Sequence, residues 1–216
     1  MHPVLARAGP ALSRALTTTE FGNCSPDLPL PRPELFRDHR LQAWLANVVA
    51  FDPDHQLYHN DTTDYFVHAH MAYDENIQAK RTIEMAVVGN DKPELLDVLE
   101  LFDRKEAYVV NIRAKTCQKF DIKYPFVPVS PPQFANFTGM TTIGVAGLDG
   151  IDLKQYEARD EKAGVALYQT YTARDCIPVR HDFISDDTGF HYAQLSDVLV
   201  GIPDRTVFDI PEVCRK

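Results

Sequence analysis

The sequence predicts a mainly β, antiparallel protein with one short helix. Three observations predict it. Apolar residues recur with period two, most clearly from Asp64 to Asp74 and again from Ile77 to Val87. Turn-forming Gly, Asn, Asp and Pro residues break these stretches about every ten residues, the spacing of short strands joined by hairpins. Fifteen prolines and ten glycines are scattered through 216 residues rather than gathered into a linker, and 44% hydrophobic content is enough for one domain with a real core.

In chain order, residues 1–22 stand apart. Arg7 and Arg14 sit among Ala, Leu, Ser and Thr, no acid precedes Glu20, and Pro10 and Arg14 break any apolar run of signal-peptide length. The composition is closer to that of an organelle transit peptide. The cysteines and sequons downstream suit the secretory pathway instead, so the segment is read as a targeting remnant or disordered stretch with the true signal upstream. Residues 23–216 are then a single domain. Its entry from Cys24 to Pro33 is proline-rich and should be extended, without ladder hydrogen bonds of its own.

Leu41, Ala43, Leu45, Val49 and Phe51 predict one side of a strand, interrupted by Asn47. Tyr65, Val67, Ala69, Met71 and Tyr73 predict a second. A turn at Tyr73–Asn76 leads to a third, with Ile77, Ala79, Ile83, Met85 and Val87, which makes a hairpin. Asp91–Arg104 predicts the helix. Leu95, Val98, Leu99 and Phe102 form its apolar stripe, Asp91 its cap, and Pro93 lies in its first turn. Glu106–Arg113 returns to strand, with Tyr108, Val110 and Ile112 on one face. Tyr124–Pro132 is a proline-broken crossing that cannot sit inside a sheet. Phe134–Val145 is another strand. The Gly144–Gly147 piece lacks the helix and Lys-Ser/Thr of a phosphate loop and reads as a turn or bulge. Val165–Cys214 reads as two long strands, Val165–Ile184 interrupted at Pro178 and Phe190–Val200, joined by the polar turn Ser185–Gly189.

A net charge of −9 disfavours nucleic acid and anionic membranes as partners. No run reaches the length of a transmembrane helix. No Gly-x-Ser-x-Gly element is present and no nucleophile stands beside a His, so the chain is read as non-enzymatic. Sequons occur at Asn23, Asn60 and Asn136, and Asn60 and Asn136 are the expected glycosylation sites. His68 and His70, with His55 and His59 nearby, have a spacing that can ligate zinc, although the polar face of an amphipathic strand explains them more simply. Asp186, Asp187 and Asp204 are the acids best placed on loops for calcium, without EF-hand spacing. Four cysteines, Cys24, Cys117, Cys176 and Cys214, are too widely spaced for a zinc ribbon or redox pair. Two disulfides fit an oxidising compartment and leave three pairings open, while four free buried thiols are the opposing reading.

Asp175-Cys176-Ile177-Pro178-Val179, then Leu199-Val200-Gly201-Ile202-Pro203-Asp204, then Val207-Phe208-Asp209-Ile210-Pro211 and Cys214 resemble the ependymin-related family of secreted glycoproteins. In that family a strand with Cys-x-Pro-Val is followed by Gly-Ile-x-Asp-x-x-x-Phe and a near-terminal Cys. Order and spacing both match, and a weaker likeness reaches back to about Cys24. Trp44 stands near the family's tryptophan strand, although the usual Trp-Glu-Gly-Arg element is absent. The resemblance implies bridges Cys24–Cys176 and Cys117–Cys214. It also implies two stacked or curved antiparallel sheets with an apolar pocket, as in bacterial lipoprotein carriers, with calcium binding, a homodimer, and a secreted or lysosomal location. Each bridge would close a loop of about 100 residues or more, for roughly 4–5 kcal/mol less any strain. Tyr65, Val67, Met71, Tyr108 and Val110 are the expected pocket lining. The function that follows is binding of a fatty acid or other lipid. The alternative is a calcium-dependent matrix or adhesion protein with no obligatory lipid.

Overall fold

The computed structural model describes residues 42–52, 65–88, 92–122, 126, 129–131, 135–161, 164–185 and 189–215. Residues 1–22, Cys24, Asn60, His55, His59, Asp186 and Asp187 lie outside them.

The period-two stretches fold as strands. Eleven are present among the described residues: β1 (Ala43–Asp52), β2 (Tyr65–Asp74), β3 (Ala79–Val88), β4 (Glu94–Leu101), β5 (Glu106–Asn111), β6 (Thr116–Asp121), β7 (Asn136–Ile143), β8 (Ile151–Asp160), β9 (Val165–Thr172), β10 (Pro178–Ser185) and β11 (Gly189–Val200). All neighbours pair antiparallel, in the order β6-β5-β4-β3-β2-β1-β11-β10-β9-β8-β7. The mainly β, antiparallel class is as expected, and its two halves are parts of one continuous curved sheet. Two meanders, β1–β6 and β7–β11, are hydrogen-bonded together through β1 and β11.

One connection spans the sheet from edge to edge. The chain leaves β6 at one edge and re-enters β7 at the other. A flat sheet of eleven strands would be about 48 Å wide. The fifteen steps from Asp121 to Asn136 reach about 50 Å when fully extended. The crossing bends at Val129–Ser130 and contains Pro131, so it cannot be fully extended and the sheet must curl beneath it. Two tyrosines show the same curvature. Tyr73 of β2 and Tyr171 of β9 lie four strands apart, yet the Tyr73 hydroxyl accepts from the Val129 N–H at 3.2 Å and the Tyr171 hydroxyl donates to the Val129 carbonyl at 2.9 Å. The face carrying both is concave. We call it the inner face.

The core lies on both faces. Inside, Trp44, Ala46, Val48, Val67, Ala69, Tyr73, Ala86 and Leu195 are buried together, with Phe126 and Val129 of the crossing packed on them. Outside, Ala72, Ala79, Leu99, Leu101 and Tyr108 are covered by Ile202, Val207, Phe208 and Ile210 of the C-terminal strap, residues 201–215. The Cys117–Cys214 disulfide ties this strap to β6. Arg81 donates to the Val207 carbonyl at 2.7 Å, Arg205 reaches Asp74 at 3.2 Å, and Asp204 caps the short 3-10 turn Arg205–Phe208.

Three sequence expectations need correction. The helix at Asp91–Arg104 is strand β4. From Asp97 to Leu101 every residue is buried, because the inner and outer faces are both covered here. Alternation is lost, and the remaining apolar positions mimic a helical stripe. Its two buried acids are neutralised by β3, Asp97 by Arg81 and Glu100 by Lys80, each at 2.6 Å. The long strand Val165–Ile184 is two strands, β9 and β10. They turn at Ala173–Ile177, where Cys176 has φ +55°, and Pro178 opens β10 because a strand's first residue needs no N–H bond. In β1 the deeply buried residues are Trp44, Ala46 and Val48, not the set with Leu45, Val49 and Phe51. Asn47 of that latter set bonds Asp197 at 2.7 Å across a β1–β11 irregularity. Strands β6 and β8 have no counterpart among the sequence expectations. Both are mostly polar; β6 is largely exposed, while β8 buries only Leu153, Lys154 and Ala158.

Candidate ligand site on the inner face

The register of the strands decides which side chains share the inner face. Trp44, Ala46, Val48 and Ala50 of β1 stand opposite Tyr73, Met71, Ala69 and Val67 of β2. These in turn stand opposite Lys80, Thr82, Glu84 and Ala86 of β3. Trp44 stacks on Tyr73 at 5.0 Å, and Tyr73 stacks on Phe126 at 5.6 Å. Burial pushes the Tyr73 and Tyr171 phenols far above their usual range, so both stay neutral hydroxyls.

Polar groups interrupt this apolar surface. Lys80 and Glu100 form an ion pair, and Glu100 is 1% exposed. Glu84 is 6% exposed and stands between Ala69 of β2 and Leu96 of β4. It makes no hydrogen bond or ion pair among the described residues. Burial pushes its carboxyl up to about 7, with Glu100 adding to the rise and Lys80 opposing it. On the far half of the sheet Lys154 of β8 is also buried, without an ion pair among the described residues. Gln169 lies 3.4 Å from His181 Nδ1, and the imidazole meets Tyr171 edge-on at 5.6 Å. The His181 Nε2 is buried and has no partner among the described residues, and burial pushes the ring down to about 4. It is therefore neutral at neutral pH.

The expected pocket residues divide between the two faces. Val67 is in the inner core and Met71 packs against it. The Tyr65 backbone is the first residue of β2, paired with Val88. Tyr108 and Val110 of β5 are on the outer face, and Tyr108 lies under the C-terminal strap. The five do not line one pocket. The Asp204 carboxylate accepts from the Thr206 N–H at 3.0 Å and hydroxyl at 2.8 Å, bonds that hold it below the usual carboxylate range and commit it to capping. No group of three or more His, Cys, Asp or Glu is gathered for a metal among the described residues. His68 and His70 are exposed on the outer face. Asn136 is exposed at the start of β7. Cys117–Cys214 is formed, and Cys176 is also disulfide-bonded; the expected partner, Cys24, is outside the described residues.

The family model described as Ependymin matches residues 90–214. The curated protein described as mammalian ependymin-related protein 1 of Rattus norvegicus is 24% identical over 160 residues, 74% of this chain and 71% of its own length. Its Mus musculus counterpart is 23% identical over the same span. Among solved structures, an uncharacterised conserved protein of Thermus thermophilus overlays with a TM-score of 0.50 at 11% identity, covering 79% of this chain and 86% of that one. A LolA superfamily protein of Nitrosomonas europaea reaches 0.34 at 9% identity, over 80% of this chain and 92% of its own.

Proposed function

The chain belongs to the ependymin family, and from that premise we propose that it is a non-catalytic extracellular or lysosomal protein that holds a hydrophobic or amphipathic small molecule against the inner face of its sheet. One observation carries the reading. The inner face is concave, apolar across β1, β2 and β11, and set with a few buried polar groups, of which the Glu84 carboxyl and the His181 Nε2 have no hydrogen-bond partner among the described residues. Small-molecule sites usually have that form, an apolar concavity with sparse polar groups that fix orientation. The Cys117–Cys214 bridge supports an oxidising compartment. Among the described residues no helix is long and apolar enough to cross a membrane.

Native mass spectrometry of protein secreted from a eukaryotic host tests this reading. The expected result is a reproducible added mass, extractable into organic solvent. It should be absent from a folded Met71→Lys variant, because the new ammonium would stand in the apolar concavity. A clean apo mass under gentle conditions would contradict the reading and favour a calcium-dependent matrix role.

A further inference from the structure

We propose that Glu84 anchors the polar head of the bound amphiphile, and that this head is a cationic amine on an alkyl chain. The proposal rests on the ligand-binding reading of the inner face and names the ligand class for that site.

A carboxyl withdrawn from water without a partner is costly, and proteins seldom keep one unless something compensates it. Glu84 is 6% exposed and has no such partner among the described residues. Its neighbours across the ladder are Ala69 and Leu96, and those along its own face of β3 are Thr82 and Ala86. The nearby base is already committed, since Lys80 is 2.6 Å from Glu100. Of the two buried acids, Glu84 is the one with no base at ion-pair distance among the described residues. An alkylammonium head would complete the set. A carboxylate head would add a third acid, and an alcohol would leave the charge on Glu84 uncompensated.

The floor beside Glu84 suits the tail. Following the pairings, Glu84 leads to Ala69, then Val48, then Leu195, with no charged residue in the row. Three strand spacings make this row about 14 Å long, comparable in length to a medium alkyl chain. Among the described residues, the other titratable groups on the inner face around Glu84 are Lys80 of its own strand, Glu94 and Glu100 of β4, and Tyr73 of β2. His68 and His70 of β2 project from the outer face.

Isothermal titration of the delipidated full chain with decylamine, decanol and decanoate tests the proposal. At about pH 8 decylamine should bind roughly tenfold or more tightly than decanol, and Glu84→Gln should close that gap. A second readout needs no variant. In the wild type the gap should also close between about pH 8 and pH 5.5, because Glu84 takes up a proton while an alkylamine stays charged. A gap that persists in Glu84→Gln or at the lower pH overturns the proposal. So does equal binding of decanol and decylamine, which would leave the ligand-binding reading intact. Decanoate binding tightest would overturn it as well, and would place the head at Lys154 instead. If none of the three binds, the ligand-binding reading falls and takes the anchor with it.

Discussion

Glu84 sets the pH dependence expected of the ligand-free protein. Its carboxyl is pushed up to about 7 from an ordinary value of 4.5, so the native state prefers the protonated form. That preference contributes fully below the unfolded value and is lost as pH rises through about 7. Above it the native state carries a penalty of roughly 3 kcal/mol. Glu84→Gln should therefore raise the melting temperature of delipidated protein at about pH 8 and change it little at about pH 5. A loss of stability at pH 8 would mean that the carboxylate has a partner, contrary to the account. His181 works in the opposite direction. Its ring is pushed down to about 4 from 6.5, so its contribution is lost as pH falls through that window. The position of Glu84 was legible in principle. Once the turn after Asp74 sets the β2–β3 register, Ala69 must face Glu84, and the acid joins Val67 and Met71. The sequence argues against seeing it, because Ile83 and Met85 look like the buried set. Both are instead at least 40% exposed on the outer face.

At the scale of elements, the C-terminal strap is the feature most dependent on a single covalent bond. It lies over Leu99, Leu101 and Tyr108, and its two 3-10 turns are too short to persist without tertiary support. The Cys117–Cys214 bridge spans 97 residues of sequence, and removing it should cost about 2–5 kcal/mol. Denaturant titration of Cys117→Ser/Cys214→Ser should show that loss, and limited proteolysis should then cleave the strap near Arg205. Unchanged stability and protection would show that the strap holds by packing and by its Arg81 and Arg205 contacts alone. Strands with one exposed face announce themselves by alternation, as β2 does. Strand β4 does not, since Asp97 and Glu100 are buried in ion pairs with β3. An acid in sequence reads as surface, and only the partner strand shows that Asp97 and Glu100 are interior. The Cys117–Cys214 pairing came from family likeness, because spacing among four cysteines leaves three pairings open.

For the whole molecule, the continuous sheet explains why the site sits where it does. Pairing β1 with β11 joins the two meanders, and the crossing from β6 to β7 then has to run over the face it curls around. Tyr73 and Tyr171 fasten it there through one residue, Val129. Mainly β architecture, most strand positions and the proline-broken crossing were all readable from local pattern. The β1–β11 pairing and the curvature were not, because both are long-range facts that no local period encodes. The same holds for the division of Val67 and Met71 from Tyr108 and Val110 between opposite faces.

The inner face carries a built-in reporter for an amphiphile held there. Trp44 is the sole tryptophan of the chain, and it is stacked on Tyr73 in the inner core. Titrating delipidated protein with an alkyl amphiphile brominated along its chain should quench Trp44 emission in a saturable way. The unbrominated analogue should reverse the quenching, and folded Met71→Lys should abolish it. Emission that stays constant while the amphiphile demonstrably binds would place the ligand elsewhere on the protein and contradict the account.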